Sequence, residues 1–461
     1  MVQRPRPPGR DRCPVSLAAL TDDLAAWSTD PDELTRVSLD RSGAIPDGLP
    51  DLVVFARSVD DVQRTVAHAA THGVPVVPRG AGTGVAGGAI AGAGSIVLDL
   101  SGLDRIVEIR PDEAIAVVEP GVVTADLDDA AGTHGLRYAP DPASAAISTI
   151  GGNIATNAGG LRCVKYGVTR DAVLAVDAVL GDGSLISTGR RTIKGVTGYD
   201  LTSLLVGSEG TLGVIVGATL RLSPLPVSTA TAGVFFATAE DAVAAITLLQ
   251  RNGLRPSTAE LIDQATLVAI DEAQGSDLHT RGEVFLLLQT DGYGAEAELA
   301  AAERLIRPLA TAFEATTDPA TADRLVATRR AALPAIERHG RVLIEDIAVP
   351  RSRLAETVTA VAAIAARTGV RIFVFAHAGD GNLHPIVLAD SAPPEQVERA
   401  VAAIFDQALA VGGTLTGEHG VGVLKRPWLA AELGEPVLDL HRRVKAVFDP
   451  AGILNPGKAI Q

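Results

Sequence analysis

The stretch Pro78-Arg79-Gly80-Ala81-Gly82-Thr83-Gly84-Val85-Ala86-Gly87-Gly88 constrains the fold of this chain more than any other. It holds a literal G-x-G-x-x-G at 82–87, just after Val74-Pro75-Val76-Val77, which reads as a strand. That order invites a dinucleotide-binding turn, in which the loop opens a helix whose N-terminus holds a pyrophosphate. The continuation AGGAIAGAGS, with glycines at 87, 88, 92 and 94, cannot sustain such a helix. What remains is a backbone nest, whose successive N–H groups wrap a diphosphate directly, with the Thr83 hydroxyl as a further donor. A mobile surface loop is the plain alternative, since glycine commonly marks turns.

A second cluster, Ile150-Gly151-Gly152-Asn153-Ile154-Ala155-Thr156-Asn157-Ala158-Gly159-Gly160, has the same character and adds two amide side chains. Two nests in one domain suggest a long cofactor with two phosphates. Further on, Gly207-Ser208-Glu209-Gly210-Thr211-Leu212-Gly213-Val214-Ile215 leads into a strand, where the Ile215 backbone can bond the edge of a flat heterocycle. Taken singly, each of these is also readable as a tight turn.

A length of 461 residues, 47% hydrophobic and 21% charged, implies two or three buried cores. Four parts are expected: a tail and lead-in helix over 1–48, a glycine-rich domain over 49–226, a second domain over 227–420 and a helical cap over 421–461. In the first domain, Ser58-Val59-Asp60-Asp61 predicts a capping box that opens a helix closed by Gly73. DAVLAVDAVL and SLIST flank a Gly181-Asp182-Gly183 turn and predict a hairpin. In the second, strands AGVFFAT, GEVFLLLQT, RVLIEDIAV and VRIFVFA alternate with helices near 239–251, 295–309, 351–368 and 394–411. That alternation predicts an α+β domain with an antiparallel sheet and helices on one face.

Several classes are set aside at once. A net charge of −15 argues against a nucleic-acid partner. No apolar run reaches the ~18 residues of a membrane span. The opening MVQRPRPPGRDRCP is basic and proline-rich without a signal peptide's apolar core, so a floppy tail and a cytoplasmic protein are expected, at most attached to the inner face of a membrane. Cys13 and Cys163 offer neither a disulfide framework nor metal-ligand spacing.

The densest chemistry lies at Phe375-Ala376-His377-Ala378-Gly379-Asp380-Gly381-Asn382-Leu383-His384 and Thr416-Gly417-Glu418-His419-Gly420. Two imidazoles on a glycine turn and one carboxylate can bind Zn²⁺ or a similar ion while leaving positions open for substrate. Against this stands the plainer reading of two structural histidines and a helix-end charge.

The motifs PRGAGTGVAGG, YAPDPAS, IGGNIATNAGG, KYGVTRD and GSEGTLGVI, in that order, resemble the FAD-binding domain of the vanillyl-alcohol-oxidase type flavoproteins. HAGDGNLHP, GTLTGEHGVG and FDPAGILNPGK resemble the C-terminal half of the glycolate oxidase, D-lactate and D-2-hydroxyglutarate dehydrogenase group. The resemblance implies FAD contacts at Pro78, Arg79, Gly80, Ala81, Gly82, Thr83, Gly84, Gly87, Gly88, Pro140, Asp141, Ser144 and Thr149. It extends them to Gly151, Gly152, Asn153, Thr156, Asn157, Gly159, Gly160, Glu209, Thr211, Gly213, Val214, Ile215 and Asn455. No histidine or cysteine lies in 78–88, so non-covalent FAD is expected.

The same resemblance implies His377, His384 and Glu418 as ligands of a divalent metal, Zn²⁺ first, with Mn²⁺ or Fe²⁺ also admitted. It assigns His419 as the base and Arg329 as the clamp on a substrate carboxylate. The implied activity is oxidation of a small D-2-hydroxy acid by hydride transfer to flavin. Relatives acting on 2-hydroxyglutarate carry a lysine where this chain has Ile344 and an asparagine where it has Ile386, so a monocarboxylate such as glycolate or D-lactate is expected. The electron acceptor is open among a quinone, a cytochrome, an electron-transfer flavoprotein and an iron–sulfur subunit, and a homodimer is compatible with the resemblance. Two rivals remain: a flavin subunit that only relays electrons, which would lack HAGDGNLH and GEHG, and an enzyme like an alkyl-ether lipid synthase.

Overall fold

The computed structural model describes residues 17–192 and 194–460; the basic tail with Cys13 lies outside the described residues. The helix Val59–His72 begins at Ser58, whose hydroxyl accepts from the Asp61 N–H while Asp61 returns the bond to the Ser58 N–H. It ends where Gly73 turns left-handed at φ 67°. This helix is the crossover of a small parallel sheet in which Leu52–Phe55 and Val76–Arg79 flank Ile96–Asp99. Strands covered on both faces read as unbroken apolar runs, as LVVF and IVLD do. The first glycine loop therefore leaves the carboxyl end of a parallel strand, the end at which such sheets bind ligands.

A second, antiparallel sheet follows, in the order Ile106–Arg110, Ile115–Val118, Val214–Arg221, Val173–Val179, Leu185–Gly189. Against it lies the second glycine cluster, and here the structure corrects the expectation of an open nest. Residues Ile150–Thr156 are helical, capped by the Thr149 hydroxyl and closed by Asn157 at φ 54°. The cause is packing: Ile150 and Ile154, one helical turn apart, are buried in the core of this sheet and outweigh the two glycines.

The second domain is an eight-stranded antiparallel sheet. The expectation of helices on one face is corrected as well. Ala239–Arg251, Ala295–Ile306, Leu354–Thr368 and Pro394–Ala410 cover one side, whereas Gln264–Gln274, Pro319–Arg330 and Ala332–Glu337 cover the other. Successive strand residues divide between the two cores, Phe236 and Val374 on one side and Phe235, Phe373 and Phe375 on the other. A sheet apolar on both faces needs both covered. RVLIEDIAV splits into Val342–Ile344 and Ile347–Ala348 around Glu345 and Asp346.

Residues 444–460 return to the first domain. Phe448, Ile453 and Leu454 join its cores, and Val76 donates its backbone N–H to the Ile453 carbonyl and accepts from the Asn455 N–H, both at 2.8 Å. The two domains are tied by buried Asp291, which accepts from Arg137 at 3.2 Å, from the Tyr166 hydroxyl at 2.8 Å and from Lys165. Among the described residues no helix is long and apolar enough to cross a membrane.

Candidate active site

One cavity of about 1190 Å³ runs from the first glycine loop to the histidine cluster. Of the residues expected at FAD, it is lined by Pro78, Arg79, Gly80, Ala81, Gly82, Thr83, Gly84, Gly88, Pro140, Asp141, Ser144, Thr149, Gly151, Gly152, Asn153, Thr156, Gly159, Gly160, Glu209, Gly213 and Ile215. Gly87, Asn157, Thr211, Val214 and Asn455 are not brought to its surface. Gly87 sits tight against Val423, and Asn157 accepts from the Arg170 N–H at 2.9 Å. Thr211 and Val214 are buried in the core. The Asn455 amide braces the loops from behind, donating to the carbonyls of Gly88 at 2.9 Å and Glu209 at 2.7 Å.

The glycines of the loop serve different ends. Gly82 has φ 67°, and the Arg79 guanidinium fills the place of its absent side chain while donating to the Leu39 carbonyl at 2.7 Å. Gly84 faces open space: a β-carbon there would meet its nearest protein atom, an Asp40 oxygen, at 3.9 Å. A backbone that leaves room for more than a methyl group and lines a large cavity fits a diphosphate held by main-chain N–H groups.

At the other end, the strands Ile372–His377 and Asn382–Leu388 form a hairpin over the glycine turn and pair Phe375 with His384. The Glu418 Oε1 lies 3.5 Å from His377 Nε2, 3.2 Å from His384 Nε2 and 3.5 Å from His419 Nε2. His377, His384 and Glu418 present donors within 4.8 Å of one another, all largely buried. This is an imidazole-nitrogen and carboxylate set of the kind that suits Zn²⁺, Mn²⁺ or Fe²⁺. Burial opposes the Glu418 charge, yet His377 and the imidazoles donating to it hold the carboxyl well below its usual range. Burial likewise opposes a cation at His377, and Glu260 and Glu418 outweigh it, raising its pKa well above the ordinary value. His384 is lowered by burial. His419 is raised, because Asp346 and Glu418 outweigh its burial.

Three charged residues that carry this cluster were not singled out from the sequence. Glu260, in the centre of Thr258–Ile262, is 1% exposed and accepts from Arg329 Nε at 2.9 Å and from His377 Nδ1 at 2.7 Å. Asp346 accepts from the backbone N–H groups of Glu418 at 3.0 Å and His419 at 2.9 Å, from Thr416 at 2.7 Å and from Asn382 at 2.6 Å. Burial opposes its charge, but buried Lys425, with His419 and His384, holds its carboxyl below the usual range. Asp346, His384 and His419 also form a group of metal-ligand type. Asp346 has its lone pairs engaged by these donors, so it braces the 416–419 turn instead. Glu260 left a trace in the sequence, as the one charge inside the otherwise apolar strand Thr258–Ile262, where a charge is seldom buried unless paired; Asp346, beside Glu345 between two short strands, left none.

Residues 50–189 match the FAD binding domain family and residues 225–459 the C-terminal domain of FAD linked oxidases. The glycolate oxidase subunit GlcD of Bacillus subtilis is 41% identical over 417 residues, 89% of each chain. The D-lactate dehydrogenase of Anaerostipes hadrus is 34% identical, again over 89% of each chain. The solved structure of 4-ethylphenol oxidase from Gulosibacter chungangensis superposes with a TM-score of 0.77 at 19% identity, over 96% of each chain, and so shares the fold. The protein is an FAD-linked oxidoreductase. Within that class it belongs to the FAD-linked oxidase family, in the group of glycolate oxidase and D-lactate dehydrogenase.

Proposed function

We propose that this chain oxidises a small D-2-hydroxy monocarboxylate, glycolate or D-lactate, to the 2-oxo acid. The observation that carries the reading is that one cavity joins the FAD loops to the His377, His384, Glu418, His419 and Arg329 cluster. FAD, held without a covalent bond along the glycine loops, supplies the hydride acceptor. A divalent cation, if held by His377, His384 and Glu418, supplies positive charge that lowers the pKa of the substrate hydroxyl and of the nearby imidazole.

The remaining work falls to side chains. Arg329 has Nε committed to Glu260 and its plane stacked on Phe375, with the guanidinium carbon 4.3 Å from the ring centroid. Arg329 lines the cavity, and its two terminal amino groups are what an end-on fork for a carboxylate would use. His419 Nε2 lies beside the same Glu418 oxygen as the other imidazoles, and once His419 is neutral, as a cation held by Glu418 would favour, its free ring nitrogen takes the hydroxyl proton as C2 is oxidised. Ile344 and Phe375 line the cavity nearby and offer nothing to a second carboxylate. Electrons then leave to an acceptor outside this chain; a quinone, cytochrome, electron-transfer flavoprotein or iron–sulfur subunit would each serve.

The test is anaerobic stopped-flow reduction of the bound flavin by glycolate, D-lactate, L-lactate and D-2-hydroxyglutarate. Reduction by the first two, slowed about 10²–10⁴-fold in His419→Asn, is expected for a positioned base. Wild-type flavin that none of these acids reduces, or a His419→Asn variant reduced at the wild-type rate, would overturn the reading.

A further inference from the structure

We propose that Glu260 is a positioning residue that fixes two groups at once, the tautomer of His377 and the aim of the Arg329 guanidinium. The proposal rests on the reading of His377, His384 and Glu418 as metal ligands and of Arg329 as the carboxylate clamp.

The sheet itself imposes the arrangement. Glu260 and His377 are direct partners in the antiparallel ladder between Thr258–Ile262 and Ile372–His377, so their side chains leave the same face side by side. Phe375 lies two residues before His377 on that face, and Arg329 reaches it from the last turn of Pro319–Arg330. An ionised carboxylate only accepts. With Glu260 Oε1 at 2.7 Å, His377 must carry its proton on Nδ1 when neutral, which leaves the Nε2 lone pair facing Glu418 and His384. With Oε2 at 2.9 Å from Nε, the guanidinium is pinned by its inner edge, which leaves its two terminal amino groups as the outer edge of a residue that lines the cavity. One buried acid thus sets a would-be metal ligand and a would-be substrate clamp that come from distant parts of the chain.

The decisive variant is Glu260→Gln. An amide has one acceptor oxygen for two N–H groups, so its NH₂ must face either His377 or Arg329. Facing His377, it inverts the tautomer and protonates Nε2; facing Arg329, it sets donor against donor and turns the fork away.

Zn²⁺ affinity of the flavin-loaded protein is read by competition with a chromophoric chelator, and oxalate affinity at saturating Zn²⁺ by the change in flavin absorbance. The proposal expects Glu260→Gln to weaken Zn²⁺ by about 10–100-fold, or oxalate by a comparable factor, with flavin content and melting temperature kept. Glu260→Asp, which retains an acceptor-only acid, is expected to recover most of either loss. Wild-type affinity for both ligands in Glu260→Gln overturns the proposal alone. Absence of Zn²⁺ binding by the wild type, or unchanged Zn²⁺ affinity in His384→Ala, overturns the metal-site reading and the proposal with it. A measurement on the wild type needs no variant: ¹⁵N NMR of the Zn²⁺-loaded protein should show His377 protonated at Nδ1, and a proton on Nε2 overturns the proposal.

Discussion

The two ends of the cavity are built on opposite plans. At the FAD end the walls are main chain: Gly80, Gly82, Gly84 and Gly88 bring backbone to the surface, and the side chains that matter, Arg79 and Asn455, hold loops in place from behind. At the other end the walls are side chains, and they are held by charged partners out of view of the cavity, His377 and Arg329 by Glu260, the 416–419 turn by Asp346. A main-chain site tolerates most substitutions except added bulk. A side-chain site tolerates bulk better than the loss of one partner, because the survivor is left as a buried, unpaired charge.

That contrast can be broken at either end. The largest effect is expected from His384→Ala, which should cut turnover by more than about 10⁴-fold, the scale of several kcal/mol of lost charge stabilisation, while the protein keeps its flavin. Steady-state dye reduction and the visible spectrum read the two properties separately, and a colourless His384→Ala protein would show that the ends are not independent. The mirror case is Gly84→Val. Open space around Gly84 lets the variant fold, but its side chain occupies the diphosphate's place, so FAD affinity should fall by at least about 100-fold, some 2.7 kcal/mol, with the melting temperature of the apo-protein unchanged. Flavin titration and calorimetry of the stripped protein check this, and full occupancy would mean that the phosphates lie elsewhere. Ile344→Lys should have the smallest effect, raising kcat/KM for D-2-hydroxyglutarate about tenfold relative to D-lactate, the worth of one charged contact of roughly 1.5 kcal/mol. An unchanged ratio would remove Ile344 from the specificity wall.

The same contrast explains what could be read from the sequence. Backbone sites are written as glycine, so the loop at 78–88 could be picked out locally as a wall of the cavity, and the histidine turn at 377–384 through polar residues in an apolar context. The helix at Ile150–Thr156 was hidden because glycine propensity was weighed and the burial of Ile150 and Ile154 could not be. Helices on both faces of the large sheet were hidden for a related reason, since Gln264–Gln274 and Pro319–Arg330 follow strands whose two-sided burial shows only once they are paired. Glu260 stood out only as a charge in an apolar strand, and its role was hidden because it arises from strand pairing across 117 residues, which no local pattern encodes. Arg329 could be placed by resemblance, but not the acid that holds it.

The brace on the FAD loops has a consequence for how the protein comes into being. Asn455 reaches Gly88 across 367 residues, and the Val76 edge of the first sheet is completed by Ile453 and Asn455. Contacts so distant along the chain form late, because the intervening polymer must first give up its freedom. The glycine loop therefore emerges from the ribosome long before the residues that steady it. Capture of the flavin in its final setting waits for the segment that carries Ile453 and Asn455.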